Sequence, residues 1–446
     1  MKVVFSRQMR FALALLLLNG LFPAAGAWKA GVGRADITPT EPIWLAGFGS
    51  RTRPSQGVRH KIWVKALALE DDGGARSVLL TADLLGFNRR MADVVTREAA
   101  RQYGLSRERI ALNASHTHSA PVTDTVLRVA YPFGPDQEPA IARYTEKLLG
   151  QAVDAIGAAL ADLKPATVEF GQGNAGFATN RRRVRLRELP GPVDHDVPVL
   201  AIKADDGRMR AIVVGYACHA TSLSDDLVSG DWPGFTQIEL ENSYPGVTAY
   251  FVAGGGADAN PLPRRTEELS KHYGGALAEA ARQVLSQKMS PVTGSLRAAF
   301  GTVDLPFADV PSREQLQARL NSKDVYERRH AQYMLSHLDK DGKLWDSYPY
   351  PVQVWQFGNA FRMFLLGGEL VVDYSLRLKR QYGWRDTWVA GYSNDVFAYI
   401  PSLRVLKEGG YEGGGAMLVY GQPSPFSVAV EELIVDKVER LTKSLH

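Results

Sequence analysis

Strand-like and helix-like periodicities alternate along almost the whole chain, and that alternation most restricts how it can fold. Residues 61–69 put apolar side chains at every second position, the Asp71-Asp72-Gly73-Gly74 cluster turns the chain, and residues 77–81 form a second apolar run. Residues 91–103 then switch to the three-and-four spacing of an amphipathic helix. Further strands are predicted at 166–170, 197–203, 211–217, 249–253, 352–357 and 360–366. Helices are predicted at 140–160, 232–242, 266–287, 371–382 and 428–441. Residues 313–338 are charged and helical, suited to a lid or a flank. With no repeat or linker, the pattern describes one α/β domain of mixed sheets flanked by helices, over residues 28–446. A chain of 446 residues, 45% of them hydrophobic, has ample material for a large core.

The N-terminus carries an address. Lys2, Arg7 and Arg10 form a basic region, residues 11–18 are apolar, and Ala25-Gly26-Ala27 offers a small-residue cleavage site. Residues 1–27 are therefore expected to be a signal peptide, removed before Trp28, with the mature chain secreted or periplasmic in a bacterium. A single cysteine, Cys218, permits no intrachain disulfide, which suits that route. Alternation along residues 212–219 turns Cys218 away from His219, so it is expected to be a small buried filler. The net charge of +4 is slight. The one dense basic cluster, Arg181-Arg182-Arg183 with Arg185 and Arg187, lacks interleaved aromatics. That speaks against nucleic acid and for an anionic substrate group or plain solvation, with Arg182 and Arg183 facing solvent.

Chemistry concentrates first at Asn113-Ala114-Ser115-His116-Thr117-His118-Ser119-Ala120-Pro121. In extended backbone, residues i and i+2 project from one face, so both imidazoles aim at one point. Convergent imidazoles are a frequent start for a zinc site, and by spacing alone His116 and His118 are both ligands. Gly254-Gly255-Gly256 lets backbone pass close to a ligand, but no Gly-Lys-Ser/Thr follows, so a nucleotide loop is excluded.

These residues belong to an ordered series. His116-Thr117-His118-Ser119 resembles the Thr-His-Thr-His-Ser-Gly-Pro segment of the neutral ceramidase family, zinc-dependent amidases that cleave N-acylsphingosines. Gly33-Arg34-Ala35-Asp36-Ile37-Thr38-Pro39 resembles that family's opening strand and turn, and Asn180-Arg181 an Asn-Arg pair in its active-site wall. Cys218-His219-Ala220-Thr221-Ser222 resembles its second histidine segment, and Ser229-Gly230-Asp231-Trp232-Pro233-Gly234-Phe235 a Ser-Asp-Asn-x-Gly-Tyr turn. Asp258-Ala259-Asn260-Pro261 stands where the family has Asp-Val-Ser-Pro, and Gly368-Glu369 with Asn394-Asp395-Val396-Phe397-Ala398-Tyr399-Ile400 completes the series.

The resemblance implies a Zn2+ held by His116, His219, Glu369 and Tyr399, with His118 beside it as an acid/base group. Such a metal polarises an amide carbonyl and lowers the pKa of a bound water, making that water the nucleophile. Arg181 is expected to hold an oxyanion or a polar substrate group. Asp231 is expected either to cap the following helix or to orient a ligand histidine. Asn260 replaces the family's serine and can donate to an oxyanion, but cannot attack as a hydroxyl would. A ceramide-like N-acyl lipid is the first substrate expectation, with transient contact to a membrane surface. A scaffold retargeted to another ester, amide or glycan-linked substrate, and a non-catalytic binding relative, are the alternatives. The family's immunoglobulin-like C-terminal domain is expected to be missing from this chain.

Overall fold

A computed structural model describes residues 28–134, 136–182 and 191–445. The signal-peptide expectation for residues 1–27, and Arg183, Arg185 and Arg187, lie outside these.

The predicted strands assemble into two main sheets. The larger has nine strands among the described residues. Its order runs Thr248–Ala253, Met209–Tyr216, Asp196–Ala204, Lys164–Asn174, Trp28–Asp36, Trp63–Glu70, Arg76–Ala82, Ile110–Ala114, with Ser290–Pro291 beside Lys164–Asn174. Most neighbours are antiparallel. The two end pairs are parallel, Arg76–Ala82 with Ile110–Ala114 and Met209–Tyr216 with Thr248–Ala253. Parallel neighbours need a crossover, which the helices Arg89–Tyr103 and Asp231–Ser243 supply.

The second sheet has four strands, Leu296–Pro306, Ser347–Phe357, Phe361–Leu366 and Thr387–Ala390. Leu296–Pro306 was not legible as a strand; its half-exposed side chains give no clean apolar alternation. The sheets pack face to face through Leu67, Leu200, Val213 and Tyr250 on one side and Trp355, Phe361, Met363 and Trp388 on the other. The outer face of the large sheet packs on the helices Arg89–Tyr103, Gln137–Ala161, Asp231–Ser243 and Glu267–Leu285. The outer face of the second packs on Val372–Tyr382 and Val430–Lys443. The mixed α/β expectation holds, in four layers: helix, sheet, sheet, helix. Burial on both faces explains why several strands read as continuous apolar runs. The helix expected at 313–338 is broken into Arg313–Arg319 and Val325–Asp341, because Ser312 and Asp324 each cap a separate start.

The large sheet curls until its edge strands meet. Asn113, on one edge, accepts from Ala253 N on the other at 2.9 Å, and its Nδ2 donates to Gly391 O at 2.8 Å. That seam is where the chemistry gathers. His116 follows one parallel edge strand, and His219 follows the neighbour of the other.

Candidate metal centre

Each side chain at the seam is placed by a distinct local device. His116 leaves the strand Ile110–Ala114 with φ 59°, a left-handed turn uncommon for a non-glycine residue. His219 is tied by its N–H to Ala259 O at 3.0 Å, and Trp232 Nε1 donates to His219 O at 2.8 Å. Glu369 follows Gly368, whose φ is 70° and whose missing Cβ would meet Ile400 at 2.5 Å. Tyr399 lies alongside Glu369 in a short parallel ladder. His118 packs over Gly47, where a Cβ would lie 2.3 Å from the imidazole.

The side chains converge. His116 Nε2 lies 3.1 Å and His219 Nε2 3.0 Å from Glu369 Oε2. His118 Nε2 is 3.2 Å from His116 Nε2, and Tyr399 OH is 3.3 Å from His219 Nε2. The nitrogens of His116, His118 and His219 all lie within 4.8 Å of one another. The outer nitrogen of His116 faces Leu85 O at 2.7 Å, and that of His219 faces Gly256 O at 3.5 Å. Since a carbonyl only accepts, Nδ1 must carry the proton and each Nε2 presents a lone pair inward. Two lone pairs then face a carboxylate oxygen that makes no hydrogen bond of its own. Lone pairs aimed at lone pairs in a buried site fit a cation, and nitrogen and oxygen donors with carbonyl-bonded imidazoles suit a transition metal.

Electrostatics agree with that fit. Burial, then the charge of its neighbours, pushes His118 well below its ordinary value, and burial with Arg181 nearby brings His219 down to about 4. Burial alone would raise Glu369; either protons on His116 and His219 facing it, or a cation in their place, would hold it well below the usual carboxylate range. The neutral form of His219 and the ionised form of Glu369 are the ones in which such groups bind metals.

Arg181 lies against this group rather than inside it. Its Nη2 donates to Tyr399 OH at 2.9 Å, and its Nε donates to Glu412 Oε1 at 2.6 Å. Arg182 does not face solvent as expected. Its side chain is largely covered, with Nη1 2.7 Å from Glu412 Oε2 and Nη2 3.1 Å from Glu408 Oε2, because the 408–415 segment folds back over it. Asp231 is the first residue of its helix, and Gly230 stands at the cap position. Its carboxylate accepts from Ser222 N at 3.1 Å, Leu223 N at 3.0 Å, Trp232 N at 2.6 Å and the Ser222 hydroxyl. It thus fastens the segment after His219; its hydrogen bonds reach no imidazole. Asn260 is buried on the strand Ala259–Pro261, its Oδ1 accepting from Thr221 Oγ1 at 3.3 Å. Cys218 lies in the apolar core, as alternation required.

Three residues at the centre escaped the sequence reading. Tyr420 OH donates to Glu369 Oε1, Tyr392 packs at a tilt against His116 with ring centroids 4.4 Å apart, and Glu412 anchors Arg181. The run Glu412-Gly413-Gly414-Gly415 was the available signal, since such glycines mark a tightly folded loop.

A family model described as "Neutral/alkaline non-lysosomal ceramidase, N-terminal" matches residues 28–260, more than half of the chain. The chain belongs to the neutral ceramidase family. A neutral ceramidase of Drosophila pseudoobscura pseudoobscura is 27% identical over 247 residues, 52% of this chain and 35% of that protein. The neutral ceramidase of Pseudomonas aeruginosa is 24% identical over 336 residues, 68% of this chain and 49% of that one. The matches thus span between about a third and a half of these relatives' length. Among solved structures, "Ceramidase complexed with C2" superposes with a TM-score of 0.72 at 18% identity, covering 93% of this chain and 76% of that one. A neutral ceramidase from Pseudomonas aeruginosa gives 0.71 at 20% identity, over 93% and 75%. The likeness extends well beyond the matched N-terminal part.

Proposed function

We propose that this chain hydrolyses the amide bond of N-acyl lipids, ceramide-like N-acylsphingosines first among them, using zinc held by His116, His219, Glu369 and Tyr399. Zinc there would supply Lewis-acid polarisation of the amide carbonyl and a more acidic water. In the overall reaction the amide C–N bond breaks, the acyl carbon gains an oxygen from water, and the amine leaves with a proton. His118 is half-buried, neutral and next to His116. It has the form needed to accept a proton and hand it to the leaving amine. Asn260 Nδ2 makes no hydrogen bond to a described residue, so it is the end able to donate to an oxyanion. Arg181 holds the Tyr399 hydroxyl in place and, through Glu412, clamps the loop that closes over it.

The carrying observation is the meeting of the His116 and His219 Nε2 lone pairs with Glu369 Oε2, in a chain of this family. Mass spectrometry of N-hexanoylsphingosine incubated with the purified protein tests the reading. Release of hexanoate and sphingosine, abolished by a chelator and restored by zinc, is expected. Intact substrate with zinc-loaded protein would overturn it. The proposal includes export to the periplasm or medium, with transient contact at a membrane surface to collect the lipid. Among the described residues, no helix is long and apolar enough to cross a membrane. The intact mass of the chain from fractionated cells checks export, with Trp28 as its expected first residue.

A further inference from the structure

Two adjacent arginines, Arg264 and Arg265, stand beside the metal centre, and neither has a carboxylate within ion-pair distance among the described residues. Arg264 Nη1 donates to Thr221 Oγ1 at 3.0 Å, and the same hydroxyl donates to Asn260 Oδ1. Arg265 Nη1 reaches only Leu223 O, at 3.4 Å. Its guanidinium lies over the Phe48 ring, 4.9 Å from the centroid, and Phe48 in turn packs 4.8 Å from the His118 ring. Guanidinium, phenyl and imidazole therefore pack in one continuous series from the surface to the centre, with the Phe48 and His118 rings tilted by 59° and Arg51 also 5.0 Å from the Phe48 centroid.

The series borders an open pocket of about 400 Å³ whose walls include Phe48, Ser50, Arg51, Arg53, Asp226 and Arg265. Three guanidinium groups face one carboxylate there. Asp226 is engaged by Arg53 at 2.7 Å and Arg51 at 3.5 Å, which leaves Arg265 without an ion pair there and with the charge of Asp231 acting on it from beyond ion-pair distance. Arg265 also holds φ 98°, a conformation rare for a non-glycine residue, fixed by its N–H donating to Ser222 O at 2.7 Å. Such strain persists where surrounding structure imposes it, often at ligand sites. Burial and the charges of Arg265 and Arg181, against the opposing charge of Asp231, bring Arg264 down to about 10, so these cations repel one another and an anion close to them would be attracted.

From this geometry we infer that Arg264 and Arg265 bind an anionic group (phosphate, sulfonate or carboxylate) carried by the amide substrate, beside the bond that is cut. The inference rests on the amidase reading and narrows it: the preferred substrate is an N-acyl amine with a negatively charged head. A planar guanidinium fork is suited to such oxygens.

The test compares N-hexanoylsphingosine with its 1-phosphate in identical neutral detergent micelles, for the zinc-loaded protein and for Arg264→Gln/Arg265→Gln. The expected result is a kcat/KM ratio, phosphate over neutral, of about 10 or more in the wild type, falling to about 1 in the double variant. Arg264→Lys/Arg265→Lys should recover part of it. A ratio near 1 in the wild type, or one that survives the double substitution, overturns the inference. If neither lipid is cleaved, the amidase reading fails separately. Calorimetric affinities of the two lipids for wild type and double variant then decide the anion site by the same ratio. A preference that appears only with micelles containing anionic detergent, and is absent in neutral ones, would assign the arginines to surface attraction and also overturn it.

Discussion

Glu369 and Tyr399 are register partners in a two-residue parallel ladder, so a carboxylate and a phenol thirty residues apart in sequence stand side by side over the histidines. Their other contacts complete the arrangement. Tyr420 donates to one oxygen of Glu369, Arg181 donates to the Tyr399 hydroxyl, and the second Glu369 oxygen meets His116 and His219.

Arg181 acts on the centre through that hydroxyl. Arg181→Gln should fold, because Arg182 still engages Glu412. Losing the support of Tyr399 should weaken zinc binding or activity by roughly 10–100-fold, the usual consequence of removing a partner behind a ligand. Zinc titration against a competing chelator reads this; unchanged affinity together with unchanged activity would contradict it.

The two histidines of the His-x-His segment should separate experimentally. His116→Ala is expected to lose the metal, whereas His118→Ala is expected to keep most of it and lose turnover by roughly 10²–10⁴. Metal content and single-turnover rates for both variants decide the matter. Equal metal loss would make His118 a ligand, which its Nε2, 3.2 Å from that of His116, is close enough to be.

By resemblance, Asn260 stands where the family has a serine. If its amide only stabilises charge, Asn260→Ala should reduce the rate by about 10²–10³ and Asn260→Ser should keep part of the activity without a covalent acyl-enzyme. Intact-mass detection of an acylated serine variant would show a scaffold arranged for serine attack.

Much of this organisation was legible in the chain. Alternation located most long strands, and the three-and-four spacing located the long helices, because apolar side chains must leave water on one face. His116 was legible from its spacing to His118, whereas His219, Glu369 and Tyr399 were legible through resemblance; the structure adds that they meet. What could not be read was the closure of the sheet through Asn113 and the return of the 411–420 segment with Tyr420 and Glu412. Those contacts join residues far apart in sequence, and no local periodicity encodes them. Arg182 shows the converse error: a basic cluster reads as solvated until its acids arrive from 226 and 230 residues away.

The interface between the sheets should be costly to disturb. Phe361 is buried and stacked on Phe170 and Phe357, with centroids 4.0 and 4.4 Å away. Phe361→Ala should destabilise the fold by roughly 3–5 kcal/mol, read from urea unfolding. A loss under about 1 kcal/mol would mean that the sheets do not pack as described.

Asp395 gives the fold a pH dependence away from the metal. Burial raises its carboxyl to about 7, against the opposing effects of Tyr348 and Arg89, and its Oδ1 makes no hydrogen bond. The unfolded chain releases this proton near pH 4 and the folded chain near 7. Stability present below pH 4 therefore declines as pH rises, until the carboxylate is ionised in both states. Asp395→Asn should flatten the fall in Tm between pH 5 and 8; an unchanged slope would contradict this.

The central claim is that His116, His219, Glu369 and Tyr399 form one metal site, and metal analysis of purified protein tests it most directly. Elemental mass spectrometry should find about one zinc per chain in the wild type and none in His219→Ala, with far-UV circular dichroism unchanged. Equal zinc in both proteins, or a zinc-free wild type with full amidase activity, would contradict it.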